Sequence, residues 1–332
     1  MKILAIGAKE IEKTECLIET ISALRKAFSE LQASAVLMPP RTIVVTSKTN
    51  PSRQLAVMPA VLESQKVAVV KVTTLTPANR ENHLPLIHGL VTLVDLDTGQ
   101  IVAMLEGAAL TSLRTGAVSA LATQLLSRED SRKLAVIGAG VQARMQLRAV
   151  AAVREIDTIF LFSRTSTHVN SFADWINGHP DLKLKIHICN SLREAVKETD
   201  IVCTATSTNS STPLIERSWI GQGTHINAVG GVNEEACEFD PALLQNAYTV
   251  VEESEAALAD AGEIRSAVRS RFISEADIIE IAKVINGQAP ARKSTDQITV
   301  FRSVGVAIED AAAAKTVYDR ATRSGGGFKI SL

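Results

Sequence analysis

The 332-residue sequence is short of several things, and each shortage removes a class of function. Aromatic side chains make up only 4% of it against 46% for all hydrophobic residues, which suits an aliphatic α/β core better than an aromatic-rich binding surface. Neither sign of charge is in excess: 35 basic and 36 acidic residues leave a net charge of −1, so no global field draws nucleic acid or an acidic membrane. No apolar run approaches the roughly 20 residues that span a bilayer. The N-terminus lacks the hydrophobic core and cleavage site of a signal peptide, so a cytoplasmic protein without membrane or nucleic-acid partners is expected. Cys16, Cys189, Cys203 and Cys237 show no C-x-x-C spacing, and the six histidines, His83 and His88 among them, show no ligand-like spacing. Neither a metal site nor a disulfide framework is expected.

What is present is clearest at Lys133 to Ala143, KLAVIGAGVQA. Leu134 to Ile137 run straight into Gly138-Ala139-Gly140, and a helix-like segment from Val141 to Val153 follows. A buried parallel strand, a tight glycine turn and a helix N-terminus with its N–H groups aimed at an anion form a dinucleotide pyrophosphate site. Gly138, Gly140, Val141, Gln142 and Ala143 are the candidate residues, with Ala143 as a permitted variant of the third glycine.

Downstream, short apolar runs at Thr158 to Phe162, Leu184 to Ile188, Ile201 to Ala205, His225 to Val229 and Tyr248 to Val251 alternate with helical or loop segments. This rhythm predicts a doubly wound, Rossmann-type parallel sheet. Upstream, an amphipathic helix over Leu17 to Leu31 precedes strand-like runs from Thr42 to Leu105, with a turn at Asp97-Thr98-Gly99, which predicts an antiparallel or mixed sheet. A helix from Ala109 to Leu126 joins the two. Ile298 to Phe301 and the alanine-rich helix Val304 to Ala321 are expected to return to the first domain. The expected organisation is α/β: a discontinuous α+β domain, 1–118 and 298–332, around a NAD(P)-binding Rossmann domain, 119–297. Gly325-Gly326-Gly327 reads as a mobile tail.

In such a sheet the second strand ends where an acid would bind the ribose 2′-hydroxyl of NAD. Here it ends in Ser163-Arg164-Thr165, an arginine between two hydroxyls, which would welcome a 2′-phosphate. NADPH is the expected cofactor, with NADH possible. Ala205-Thr206-Ser207 and Val229-Gly230 fall at the carboxyl edge, where a nicotinamide ring would lie close to small residues.

In the first domain Arg41 follows two prolines, Lys71 lies in the apolar strand KVAVVKVTT, and Arg114 sits in LTSLRTGAVSA. A lysine inside such a strand is costly to bury unless paired or neutral, which marks Lys71 as a candidate catalytic group. An edge-strand lysine with its head in water is the alternative.

Together, PPR at 39–41, Lys71, Asp97-Thr98-Gly99, LTSLRTGAVSA, VIGAGVQA, HINAVGG and VFRSVGVAIEDAAAA resemble the ornithine cyclodeaminase/mu-crystallin family over nearly the whole chain. The resemblance implies a homodimer that binds NAD(P) and a small amino-acid-derived substrate, and it assigns substrate binding and dimerisation to the discontinuous domain. By position, it makes Arg41 and Arg114 the grip on a substrate carboxylate and Lys71 the active-site lysine, its pKa depressed by the two arginines. Thr115 and Gly116 would contact cofactor phosphates, and Ser303 to Gly305 would approach the nicotinamide. Cyclodeaminases carry an aspartate where Val232 stands, and an aliphatic side chain cannot handle a proton. The site pattern is closest to the ketimine reductases, with Val232 and Met58 facing ring methylenes of Δ1-pyrroline-2-carboxylate or Δ1-piperideine-2-carboxylate. If the loop register shifts, Glu234 or Glu235 could restore a carboxylate. Ornithine cyclodeaminase, an alanine-type dehydrogenase and a ligand-binding protein without turnover are the alternatives.

Overall fold

The computed structural model describes residues 2–31, 36–46, 53–80, 84–233 and 235–331. His83 and Glu234 lie outside them. The chain divides into two compact units, Met1–Ala117 with Val306–Leu332, and Val118–Gly305.

The first unit has eight strands among the described residues: β1 (Lys2–Ile6), β2 (Val36–Leu37), β3 (Thr42–Val45), β4 (Gln54–Leu62), β5 (Val67–Leu75), β6 (Ile87–Asp95), β7 (Ile101–Glu106) and β16 (Phe328–Ser331). They form one mixed sheet in the order β16-β1-β7-β6-β5-β4-β2, with β3 also on β4 and only the β1–β7 pair parallel. Side chains alternate across it. Met58, Ala60 and Leu62 of β4 and Val67, Val69 and Lys71 of β5 share a buried face, covered by the helix Ala307–Ser324, which also packs on the helix Thr14–Glu30. Ala311 to Ala314 are fully buried, their small side chains letting the covering helix lie close to the strands. The opposite face exposes Val44, Val72 and Leu90, at 47%, 37% and 45%.

β16 corrects the expectation of a mobile tail. Gly325 (φ 70°) ends the preceding helix, Gly327 (φ 79°) turns the chain where a Cβ would lie 2.9 Å from Ala5 O, and the last residues pair antiparallel with β1.

The second unit is a Rossmann-type sheet. β8 (Lys133–Ile137), β9 (Thr158–Phe162), β10 (Lys185–Ile188), β11 (Ile201–Thr204), β12 (His225–Ala228), β13 (Ala247–Val251), β14 (Ile278–Glu280) and β15 (Ile298–Arg302) are all parallel, in the order β10-β9-β8-β11-β12-β15-β13-β14. Apolar clusters pack the sheet, one around Leu147 and Phe172, the other around Phe239 and Ile264, as the continuous apolar strands require. β8 has β9 on one side and β11 on the other, so the direction of winding reverses there and opens a crevice at the strand ends.

Ile298–Arg302 corrects a second expectation. It does not return to the first unit but inserts as β15 between β12 and β13, with Val300 and Phe301 fully buried. A strand that arrives last in the chain yet fills a gap inside the sheet leaves no mark in sequence order. The crossing back to the first unit comes at Val306.

No helix among the described residues is long and apolar enough to cross a membrane, and no group of metal-ligating side chains is present among them.

Candidate functional site

The first unit holds a buried cluster of charge. Lys71, 3% exposed, stands on β5 directly opposite Met58 on β4. Arg41 immediately precedes β3, whose first residue, Thr42, pairs with Val57, the neighbour of Met58 on β4. Arg41 is half-buried.

Two acids that sequence reasoning passed over complete the cluster. Lys71 Nζ donates to Asp310 Oδ1 at 3.0 Å and lies 2.7 Å from Oδ2. Arg114 Nη1 donates to Glu309 Oε2 at 2.7 Å, and its Nε is 3.7 Å from Asp310 Oδ1. Both acids are fully buried in the first turn of the helix Ala307–Ser324, where the positive end of the helix dipole favours carboxylates. Adjacent acids opening an otherwise alanine-rich buried helix were the available signal. Burial pushes the Lys71 amine below its ordinary range, Asp310 opposes the shift, and Arg114 adds to it. Desolvation, and not the repulsion expected from two arginines, is the leading cause. Thr115 is buried in the helix Gly107–Leu126.

In the second unit the candidate residues lie in the strand-end loops. Gly138 has φ 113°, its N–H donates to Phe162 O at 2.9 Å, and a Cβ there would lie 2.4 Å from Ala205 O. The fold itself demands that glycine. Gly140 differs: its backbone is extended and nothing lies within 4 Å of where its Cβ would be. It caps the helix Val141–Ala151, whose first N–H groups have no partner inside the helix. A diphosphate fits that bare, donor-lined space. Ala143 is fully buried against the sheet, while Val141 is 69% exposed. At the end of β9, Ser163 is half-buried, and Arg164 and Thr165 are exposed.

The other loops are tied together by buried acids. Glu238 accepts hydrogen bonds from Thr204 Oγ1 (2.6 Å), Thr206 Oγ1 (3.0 Å), Thr206 N (3.1 Å) and Gly230 N (2.8 Å). A Cβ on Gly230 would meet Glu238 Oε1 and Thr206 O at 2.3 Å, so this glycine is demanded by loop packing. Glu252 likewise accepts from Ser303 Oγ, Val304 N (2.9 Å) and Gly305 N (3.2 Å). The N–H groups of Thr206, Gly230 and Gly305 are therefore engaged within the protein. Ala205 and Val229 donate to Ile137 O and Thr204 O, continuing the ladder past the strand ends, and Ser207 is exposed. Val232 is 40% exposed. His225 is structural: its Nδ1 lies 2.9 Å from Thr299 Oγ1 and its Nε2 3.2 Å from Asn227 Oδ1, and burial pushes its pKa down to about 3.

The pattern of the ornithine cyclodeaminase/mu-crystallin family matches residues 3–325. A Δ1-pyrroline-2-carboxylate reductase of Bacillus cereus is 36% identical over 335 residues, covering 99% of this chain and 100% of that protein. The structure of Thermococcus litoralis Δ1-pyrroline-2-carboxylate reductase in complex with NADH and L-proline superposes with a TM-score of 0.92 at 35% identity, covering 99% of this chain and 100% of that one. An archaeal alanine dehydrogenase dimer with bound NAD superposes with a TM-score of 0.89 at 30% identity, each chain covered in full, at 100%.

Proposed function

The chain belongs to the ornithine cyclodeaminase/mu-crystallin family, and we propose that it reduces a cyclic ketimine carboxylate, Δ1-pyrroline-2-carboxylate or Δ1-piperideine-2-carboxylate, to proline or pipecolate. The observation that carries this reading is the buried Lys71, paired with Asp310 beside Arg114. Reduction of C=N needs a hydride at carbon and a proton at nitrogen, and NADPH supplies the hydride when bound. The proton is the work of Lys71. An ammonium whose pKa is lowered by burial is a stronger acid than a lysine in water, and its neutral form is tolerated once the proton has gone to the imine nitrogen. Asp310 keeps the amine charged until then.

Arg114, oriented through Nη1 by Glu309, takes the substrate carboxylate together with Arg41. Met58, directly opposite Lys71, offers the apolar wall for the ring. Gly138, Gly140, Val141, Gln142 and Ala143 hold the diphosphate, with Thr115 on the phosphates. The loops at Ala205 to Ser207, Val229, Gly230, Ser303 and Gly305 line the nicotinamide. Ser163, Arg164 and Thr165 favour a 2′-phosphate, so NADPH is preferred and NADH accepted. The working form is a cytoplasmic homodimer joined through the open face of the first unit's sheet.

Val232 favours reduction over ornithine cyclodeamination, since it can neither accept a proton nor orient an ammonium. The likeness to an alanine dehydrogenase supports a second reading, the NAD(P)-dependent interconversion of an open-chain amino acid and its oxo acid. The test is NADPH oxidation with each cyclic imine, and with pyruvate plus ammonia, in the wild type and Lys71→Ala. Turnover of an imine that disappears in the variant is expected. No turnover of either imine rejects the reading, and ammonia release from ornithine replaces it with the cyclodeaminase.

A further inference from the structure

Arg302 is the largest fully buried side chain among the described residues, and neither hydride nor proton transfer accounts for it. It ends β15, and its guanidinium reaches across to the loop that follows β12. Nη1 donates to Ala228 O at 3.2 Å and Ser303 O at 2.8 Å, Nη2 donates to Gly231 O at 2.9 Å, and Nε lies 2.8 Å from Glu263 Oε1. Glu263, also fully buried, stands in the first turn of the helix Gly262–Arg269. Burial pushes its carboxyl up to about 7, Arg302 pulls it down, and Glu238 adds to the rise.

A buried guanidinium without a counter-charge is strongly unfavourable, so Glu263 is what lets Arg302 sit where it can gather three backbone carbonyls. Those carbonyls belong to both ends of one structural question: where the chain goes after β12, and where it goes after β15.

The β12 loop is fixed at other points as well. Gly231 N donates to Thr206 O at 3.2 Å, and its φ of 55° turns the chain. Asn233 pairs with Ala261 in an isolated parallel bridge, and its Oδ1 accepts from Glu235 N (2.9 Å) and Ala236 N (2.7 Å). A Cβ on Gly262 would lie 2.5 Å from Glu235 C, so that glycine admits the segment against the helix start. Around these anchors Val232 keeps an exposed side chain.

We propose that Arg302 and Glu263 are positioning residues: their ion pair fixes the Val229–Asn233 loop at the carboxyl edge of the sheet and so sets where residue 232 and the nicotinamide-facing backbone stand. This rests on the proposed reductase reading for its kinetic consequence and on the geometry alone for its structural one. The arrangement has the form of a mount, a frame of fixed contacts under a short turn that holds Val232 outward. A loop displaced by about 1 Å would cost hydride transfer on the order of 100-fold while leaving the diphosphate contacts in place.

The test compares Arg302→Lys and Glu263→Gln with the wild type by hydrogen exchange and by NADPH binding, read as energy transfer from protein fluorescence. In Arg302→Lys, exchange in the 229–237 segment is expected to rise about tenfold while β8, β9 and β11 stay protected. The NADPH Kd should change by less than about threefold, under 0.7 kcal/mol, and kcat for the imine should fall far more than KM rises. Faster exchange spread evenly over the sheet, or an unchanged loop, overturns the proposal. Should Arg302→Lys fail to fold, Glu263→Gln decides, because glutamine keeps the size and removes the charge that pairs with Nε: local loosening of 229–237 upholds the proposal and an unchanged loop defeats it. Exchange needs no substrate, so a chain that reduces neither imine fails the reductase reading without touching this one.

Discussion

Lys71 and Asp310, 239 positions apart in the chain, meet in the core of the first unit with Nζ 2.7 Å from Oδ2. Burial lowers the lysine pKa and Asp310 raises it, so the pair sets the pH at which Lys71 loses its proton. A proton donor must be charged, so kcat/KM for reduction should fall as pH rises through that value. Asp310→Asn removes the charge that raises the Lys71 pKa, and the falling limb should move to lower pH. A pH–rate profile that keeps its alkaline limb in place would remove Lys71 from the role of acid. Lys71→Met should also cost about 3 kcal/mol of stability by leaving the buried Asp310 carboxylate only the more distant Arg114 as a counter-charge, as read by urea unfolding.

The two glycines of the turn after β8 should behave oppositely. Gly138→Val places a side chain at positive φ against Ala205 O and should destabilise the fold by at least about 2 kcal/mol. A Cβ at Gly140 would have no protein atom within 4 Å, so in Gly140→Val the melting temperature of the cofactor-free protein should hold while NADPH affinity falls by about 100-fold. Equal loss of stability in both variants would contradict the idea that Gly140 is bare for the sake of a ligand.

Arg164 should decide between the two cofactors. A guanidinium bonded to a 2′-phosphate contributes about 1.5 to 3 kcal/mol, so Arg164→Ala should raise KM for NADPH by roughly 10- to 100-fold and leave KM for NADH within about twofold. Equal loss for both cofactors would make Arg164 a surface residue of no particular preference.

What the sequence reveals here follows from whether a feature is local. The β8–glycine–helix unit is contiguous, so Gly138, Gly140 and Ala143 are legible as a group, and Lys71 stands out because its neighbours on β5 are apolar. Glu309 and Asp310 escape notice because their meaning lies in partners 195 and 239 positions away. Glu238 and Arg302 are hidden for the same reason, each gathering loops from several strands. β15 is misassigned because insertion between β12 and β13 is a tertiary choice that leaves its residues looking like any apolar strand.

The open face of the first unit's sheet should be the dimer contact. Val72 on β5 lies directly opposite Leu90 on β6, and both are exposed, in strands whose other face carries the buried Val69, Lys71, Val91 and Leu93; Val44, on a β3 that is exposed throughout, shares their face. An apolar sheet face of this kind calls for a cover, and in this family's setting a second copy is the simplest one. Val72→Glu together with Leu90→Glu should convert a dimer to a monomer in light scattering while circular dichroism keeps the wild-type shape. A double variant that remains dimeric would place the interface elsewhere.

His225 offers a test of the second unit's core through pH. Its imidazole would titrate near 6.5 when unperturbed and at about 3 in the fold, where burial keeps it neutral. Between those values the unfolded chain binds a proton that the folded chain refuses, so stability rises with pH across the window. The contribution is whole above about 6.5, declines as pH falls, and levels off below about 3. Its full size is on the order of a few kcal/mol. His225→Gln removes the titration while leaving a polar side chain between Thr299 and Asn227. Urea unfolding at one fixed protein concentration, repeated from pH 8 to about pH 4, should show the wild type losing stability faster than the variant on acidification. Parallel curves would mean that His225 is either already protonated in the fold or exposed to water, and the buried Asn227–His225–Thr299 chain would then be wrong.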